Sequence, residues 1–397
     1  MSRTIVPVSL LYSTTGAYGA LGREAVDGAM TAIAQINSNA DNAFQIEPVI
    51  ADPGGNAERY ANFAETAVRQ QGCRHIIGSI TSWSRKEILP VVERHGALLW
   101  YAFPYEGYEA SDSVIYLGAC PNQHLLPLFA HVLNRFGRRP FIVGSNYIWG
   151  WEISRIAREI TEVAGGEVVS ERFVPLGATD LDHLIDEIRH KKPDFILSNL
   201  VGQSAMAFLQ AYDGLRREDP DFAPEVRPVV ACNLCETDLI DLSETAKAGH
   251  IATSVYFDGL ETQENAAFKA QIAKRYGAER CLTTPFVSAY TAVCVLADCL
   301  ADAGTDAPEA IRTMVTTRAF ETPIGSLRID PKTHHAALRP HIGVSTASGA
   351  YHVFQQARDA VDADPYLLRS HHRETLFPSS TPSSILSRPP RSFTVIK

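Results

Sequence analysis

Two strand-to-loop transitions follow one another between Ile76 and Gly107, and they restrict the chain to few architectures. Ile76-Ile77-Gly78 and Ala97-Leu98-Leu99-Trp100-Tyr101 are short apolar runs, and residues 87–94 between them read as a helix. Strand, helix and strand in that order form a βαβ unit, which requires a parallel sheet and a right-handed crossover. In such sheets ligands bind beyond the carboxyl ends of the strands. Here those ends carry Ser79-Ile80-Thr81-Ser82-Trp83-Ser84 and Ala102-Phe103-Pro104-Tyr105-Glu106. Hydroxyls, backbone amides and rings with few charges suit a small neutral ligand better than a phosphate.

The alternation extends on both sides. Strands are expected over residues 6–11 and 46–51, and helices over 23–37 and 57–71, with the Gly16, Gly19, Gly22 run as a loop. A second series starts near Phe141. Its strand Phe141-Ile142-Val143-Gly144 leads into the loop Ser145-Asn146-Tyr147-Ile148-Trp149-Gly150 and a helix over 151–164. Further strands fall at 168–174, 195–198 and 229–231, with helices over 180–190 and 203–215 between them. A chain of 397 residues exceeds what one core sustains, so two α/β lobes of similar size are expected. Helices over 262–276, 285–303 and 308–316 precede late strands at 324–329, 337–344 and 351–354. The chain therefore crosses between lobes more than once, through a hinge of several strands. The expected division is residues 1–120 with 252–325 as the N-terminal lobe and 121–251 with 326–364 as the C-terminal lobe. Residues 365–397 read as an extended or disordered Ser/Pro-rich tail.

Charge and cysteine usage narrow the function classes. A net charge of -9 argues against a nucleic-acid surface, and Arg189-His190-Lys191-Lys192 ends a helix, where it complements the helix dipole. Seven cysteines, an odd number without framework spacing, read as reduced thiols. Cys232-Asn233-Leu234-Cys235 lacks the second ligand pair that zinc needs, so these are read as buried or site-lining thiols. Only Met1-Ser2-Arg3 precedes the first strand and no leader pattern is written, so a cytoplasmic location is expected, or a periplasmic one if a leader has been lost. No run of about 18 uncharged apolar residues is present, so no membrane span is expected.

An enzyme is not expected. No GxGxxG follows the first strand, and GxxxxGK[ST], HExxH and GxSxG are absent, so neither cofactor nor metal is expected. The adjacent pairs His334-His335 and His371-His372 read as surface loop residues. Glu106 and Glu236 each follow a strand and read as helix caps or partners of Arg85 rather than as acid-base groups. The stronger signal is the repeated chemistry of the strand ends. Ser82, Tyr147, Trp149, Asn233 and Cys235 lie on three such loops from two lobes, with Tyr101 at the end of a further strand, which points to a cleft site.

Asp52-Pro53-Gly54-Gly55 with Arg59-Tyr60, Ser84-Arg85-Lys86 through Pro90-Val91-Val92-Glu93-Arg94, and Tyr101 with Pro104-Tyr105-Glu106-Gly107 carry a resemblance. Pro121-Asn122-Gln123 and Gly144-Ser145-Asn146-Tyr147-Ile148 continue it. Over residues 5–366 the chain resembles the AmiC-like amide sensors, cytoplasmic negative regulators of bacterial amidase expression, and more distantly the urea and short-chain-amide binding proteins of ABC transporters. The resemblance implies a type I periplasmic-binding-protein fold, with two Rossmann-like lobes, a three-strand hinge and an amide in the cleft. It implies a site at Ser82, Tyr101, Phe103, Pro104, Tyr147, Trp149, Asn233, Leu234 and Cys235. An RNA-binding antiterminator as partner and a homodimer also follow from it. The resembled sensors carry threonine at Phe103, tyrosine at Trp149 and threonines near Asn233 and Leu234, so this pocket is expected to be more apolar and to prefer a ligand other than acetamide. The alternative is the solute receptor of an ABC importer for urea, short-chain amides or solutes like the branched-chain amino acids.

Overall fold

The protein is described by a computed structural model over residues 3–369. Its first half alternates β1 (Thr4–Leu11), α1 (Gly19–Ser38), β2 (Phe44–Ala51), α2 (Ala57–Arg69), β3 (His75–Gly78), α3 (Ser82–His95), β4 (Leu98–Tyr101) and β5 (Val114–Tyr116). These strands form one parallel sheet in the order β2-β1-β3-β4-β5. β3 and β4 are buried at every position, as strands covered by helices on both faces must be.

The second series runs α4 (Pro121–Arg135), β6 (Pro140–Ser145), α5 (Ile148–Val163), β7 (Ser170–Val174), α6 (Asp182–Lys191), β8 (Phe195–Asn199), α7 (Gln203–Glu218), β9 (Val229–Ala231), α8 (Glu236–Leu239), α9 (Glu244–Lys247) and β10 (Ile251–Ser254). Helices α10 (Gln263–Tyr276), α11 (Thr284–Ala303) and α12 (Pro308–Met314) follow, and α10 and α11 pack beside α1 of the first lobe. Gly28 of α1 permits the close approach to α11: a Cβ there would meet the carbonyl oxygen of Phe286 at 2.0 Å. By length and composition α11 could span a membrane, but most of it is buried in this packing.

Strands β11 (Phe320–Thr322), β12 (Gly325–Ile329) and β13 (Ala336–Ala337) make a small antiparallel sheet. Then β14 (His341–Ser345) and β15 (Tyr351–Gln356) complete the larger sheet, ordered β15-β14-β10-β9-β8-β6-β7. The chain thus passes between lobes three times, at 117–120, 255–262 and 338–340.

Several local expectations are corrected. The first helix starts at Gly19, so only part of the glycine run is loop. The third helix starts at Ser82 rather than Glu87, because Thr81 caps it by accepting from the N–H of Ser84. The strand expected over 337–344 is broken in two; Pro340 has no N–H to continue a ladder. β10 pairs with β9 and β14, so the return passage follows Ser254 rather than preceding residue 252. His334 and His335 are buried, not at the surface: the His335 ring stacks 4.1 Å from that of Tyr116, and its Nε2 hydrogen-bonds the Tyr105 hydroxyl. Of the expected tail, residues 365–369 pack on the first lobe, where the Pro365 carbonyl accepts from the N–H of Tyr108 at 2.8 Å. Residues 370–397, with His371 and His372, lie outside the described residues.

Candidate functional site

Parallel sheets direct every strand's carboxyl end, and the N-terminus of the helix that follows it, toward one edge. The two lobes turn these edges toward each other and enclose a cleft of about 820 Å³, counting its solvent-open mouth. Thr81 and Ser82 enter it at the start of α3, Tyr147 and Trp149 at the start of α5, and Cys235 as the residue that caps α8.

Eight of the nine residues expected at the site line this cleft: Ser82, Phe103, Pro104, Tyr147, Trp149, Asn233, Leu234 and Cys235. Tyr101 does not. Its side chain is fully buried behind the wall and its hydroxyl donates to the carbonyl of Ile80 at 2.9 Å. The Arg85 guanidinium covers its ring at 4.8 Å. In this arrangement Tyr101 braces the end of its strand.

Ser82 is also less free than its position suggests, since its hydroxyl donates to the Glu106 carboxylate. Glu106 accepts from Arg85 Nη2 at 2.8 Å, while Glu109 accepts from Arg85 Nε at 2.9 Å and from Lys86 Nζ at 2.9 Å. Arg85 is completely buried between the Tyr101 and Tyr105 rings. Burial alone would raise the Glu109 carboxyl, but Arg85 and Lys86 outweigh it and hold the group down at about 2. Glu106 is thus the ion-pair partner of Arg85, the alternative weighed for it from sequence. Glu236 does not reach Arg85. It is buried at the start of α8 and accepts from the N–H of Asp258 at 2.9 Å, and burial pushes its carboxyl up to about 7.

The polar atoms left unpaired in the cleft wall define its chemistry. Among the described residues, Trp149 Nε1, Asn233 Oδ1, His124 Nδ1 and Thr253 Oγ1 are buried without a hydrogen-bond partner. Asn233 spends its amide N–H on the Leu200 carbonyl at 2.8 Å, leaving the oxygen as an acceptor. Burial lowers His124 to about 4, so it is neutral near pH 7. Its Nε2 lies 3.0 Å from the Tyr105 carbonyl and must carry the proton, which leaves Nδ1 as a lone-pair acceptor. Leaving a buried polar atom unpaired costs about 1–3 kcal/mol, so these four are the lining groups with hydrogen-bonding capacity to spare.

Among the described residues no Lys, Arg, Asp or Glu contributes to the lining. His124 and Thr253 were not expected at the site: one lies in the first turn of α4, the other on β10, a strand the alternation did not indicate.

Cys232 and Cys235 both line the cleft, and all seven cysteines are free. Burial raises both thiols, so neither supplies a thiolate at neutral pH. Among the described residues no three His, Cys, Asp or Glu side chains are grouped to hold a metal ion.

Residues 6–372 match the family described as periplasmic binding protein domain. The chain belongs to that family. It has the α/β type I periplasmic-binding-protein fold. A Leu/Ile/Val-binding protein homolog from Brucella melitensis is 23% identical over 340 residues, which is 83% of this chain and 85% of that protein. Over 120 residues, 30% of this chain but 22% of the relative's length, it is 22% identical to a protein named limonene hydroxylase from Geobacillus stearothermophilus.

Two solved structures share the fold. An ABC-transporter solute binding protein from R. palustris, in complex with 4-hydroxybenzoate, has a TM-score of 0.78 at 18% identity, covering 92% of this chain and 100% of that one. The branched-chain amino acid transporter substrate binding protein LivJ from Streptococcus pneumoniae, in complex with isoleucine, gives 0.71 at 17%, covering 89% and 99%. Family relatives over the full length are thus named as binding proteins.

Proposed function

We propose that this periplasmic-binding-protein member is the solute receptor of an ABC importer, and that its solute is a small, uncharged, planar molecule of the primary-amide class. The observation that carries the ligand class is the cleft wall itself. It pairs one idle donor, Trp149 Nε1–H, with two idle acceptors, Asn233 Oδ1 and His124 Nδ1, and brings no formal charge. A primary amide supplies a carbonyl for the donor and two N–H groups for the acceptors. Phe103, Trp149 and Leu234 give it apolar walls that suit a substituent larger than a methyl group. A carboxylate, the group shared by the 4-hydroxybenzoate and isoleucine held by the structural relatives, would face two acceptors and no cationic side chain here.

Calorimetry with matched pairs tests this. Benzamide and butyramide should bind at least about tenfold tighter than benzoate and butyrate; benzoate binding more tightly than benzamide would sink the ligand class. The receptor role is tested by whether the liganded protein stimulates a reconstituted permease and ATPase.

The second reading, a cytoplasmic amide sensor that restrains an RNA-binding antiterminator, uses the same cleft. It is favoured by the same uncharged lining and by the motifs around Asp52-Pro53-Gly54-Gly55 and Ser84-Arg85-Lys86. Release of a co-purified RNA-binding protein on adding benzamide would select it over the receptor.

A further inference from the structure

Away from the cleft, a second cavity of about 650 Å³ opens beside the passages between lobes, lined by Thr262, Glu264, Gly325, Arg339, His341 and Arg358, among others. The Arg339 guanidinium lies against Gly325, which has φ +97° and no side chain; a Cβ there would stand 3.0 Å from Arg339 Nη1. Arg339 makes no hydrogen bond with any described residue, and its Nε is buried without a partner. The nearest carboxylate, Glu264, is 3.8 Å away, beyond hydrogen-bond range, and both side chains of this pair are partly exposed. His341 is only 4% exposed and its Nδ1 is likewise unpaired. Arg358 adds a second positive charge, and Thr262 caps the N-terminus of the 14-residue helix α10 at the same wall.

We propose that this cavity is a second ligand site, for a small anion of the carboxylate or phosphate class. A guanidinium with idle donors in a fixed fork is matched by a two-oxygen anion, which accepts two parallel N–H bonds. Arg339 and Arg358 against Glu264 leave the wall with one net positive charge, where the cleft wall has none. The two sites therefore sort ligands by charge.

The test is calorimetry of the full chain with inorganic phosphate and, separately, with citrate, at constant ionic strength against chloride. Saturable binding of one anion per chain is expected, and the better of the two probes identifies the class. Affinity should fall about tenfold or more in Arg339→Met. Arg339→Lys keeps the charge and loses the fork, so it should fold as the parent does and bind between the two. The proposal is overturned if neither anion binds the parent protein, or if both substituted proteins bind as tightly as the parent.

Discussion

The backbone N–H of Gln203, in the second lobe, donates a 2.9 Å hydrogen bond to the carbonyl of Ala17, in the first. The contact exists because the neighbour, Gly202, has no side chain and sits at φ +59°. Arg155 of the second lobe lies over the Tyr108 ring of the first at 5.0 Å, so the lobes touch through the backbone at one point and a cation on a ring at another.

Gly202→Val places a Cβ about where Ala17 and Tyr18 already are, 2.2 Å from the Ala17 oxygen and 2.9 Å from the Tyr18 Cα. The lobes should be held apart, giving a larger radius of gyration in X-ray scattering. Cleft affinity should drop by about tenfold, or about 1.4 kcal/mol. An unchanged radius together with unchanged affinity would count against the contact as a determinant of closure.

Trp149→Phe keeps the apolar wall and removes the idle indole N–H. Amide binding should weaken by about 1 kcal/mol, a typical single hydrogen bond. The unliganded protein should be at least as stable as the parent, because a buried unpaired donor has been removed. Calorimetry and thermal unfolding read the two effects separately.

Tyr101→Phe should do the reverse. Its hydroxyl is spent on the Ile80 carbonyl and never enters the cleft, so stability should fall by about 1 kcal/mol with affinity nearly unchanged. A selective loss of affinity in titrations would return Tyr101 to the site.

The buried carboxyls of α8 make stability depend on pH. Burial raises Glu236 to about 7 and Asp238 to about 6, above the usual carboxylate range that the unfolded chain keeps. The folded protein therefore holds protons that the unfolded chain releases. This stabilisation is fully present below about pH 4, fades as pH rises, and is lost above about pH 7. For one such group the slope is at most about 1.4 kcal/mol per pH unit. Burial lowers His75, His124, His131, His250, His335 and His341 to about 4 each, which gives the opposite slope below about pH 6.5, so the Glu236 contribution is read as a difference between proteins. Relative to the parent, Glu236→Gln should gain urea midpoint as pH rises from 5 to 7; parallel profiles for the two proteins would contradict the assignment.

How much of this was legible beforehand differs by level. The parallel alternation through Ile76-Ile77-Gly78 and Ala97-Leu98-Leu99-Trp100-Tyr101 was readable, because apolar runs and helical periodicity are set within a few residues. Eight of nine expected residues reach the cleft wall for the same reason: strand ends in a parallel sheet share one edge. Strands β5 and β10 were not readable. They are as short as β3, β4 and β9, which were readable, but no helix separates β5 from β4 and only two four-residue helices separate β10 from β9, so the strand-helix alternation gave no cue to them.

The sequence by itself determined the two-lobed α/β layout and the loops that face the cleft. Tertiary structure alone decided which polar atoms in those loops are free. Tyr101 is spent on Ile80, 21 positions away, Ser82 on Glu106, 24 away, and the Asn233 amide on Leu200, 33 away. His124 keeps Nδ1 as a free acceptor because the Tyr105 carbonyl accepts from Nε2–H and so fixes the proton there. Hydrogen-bond satisfaction is a property of neighbours in space. A residue type announces what it can offer, and only its packed surroundings fix what is left for a ligand.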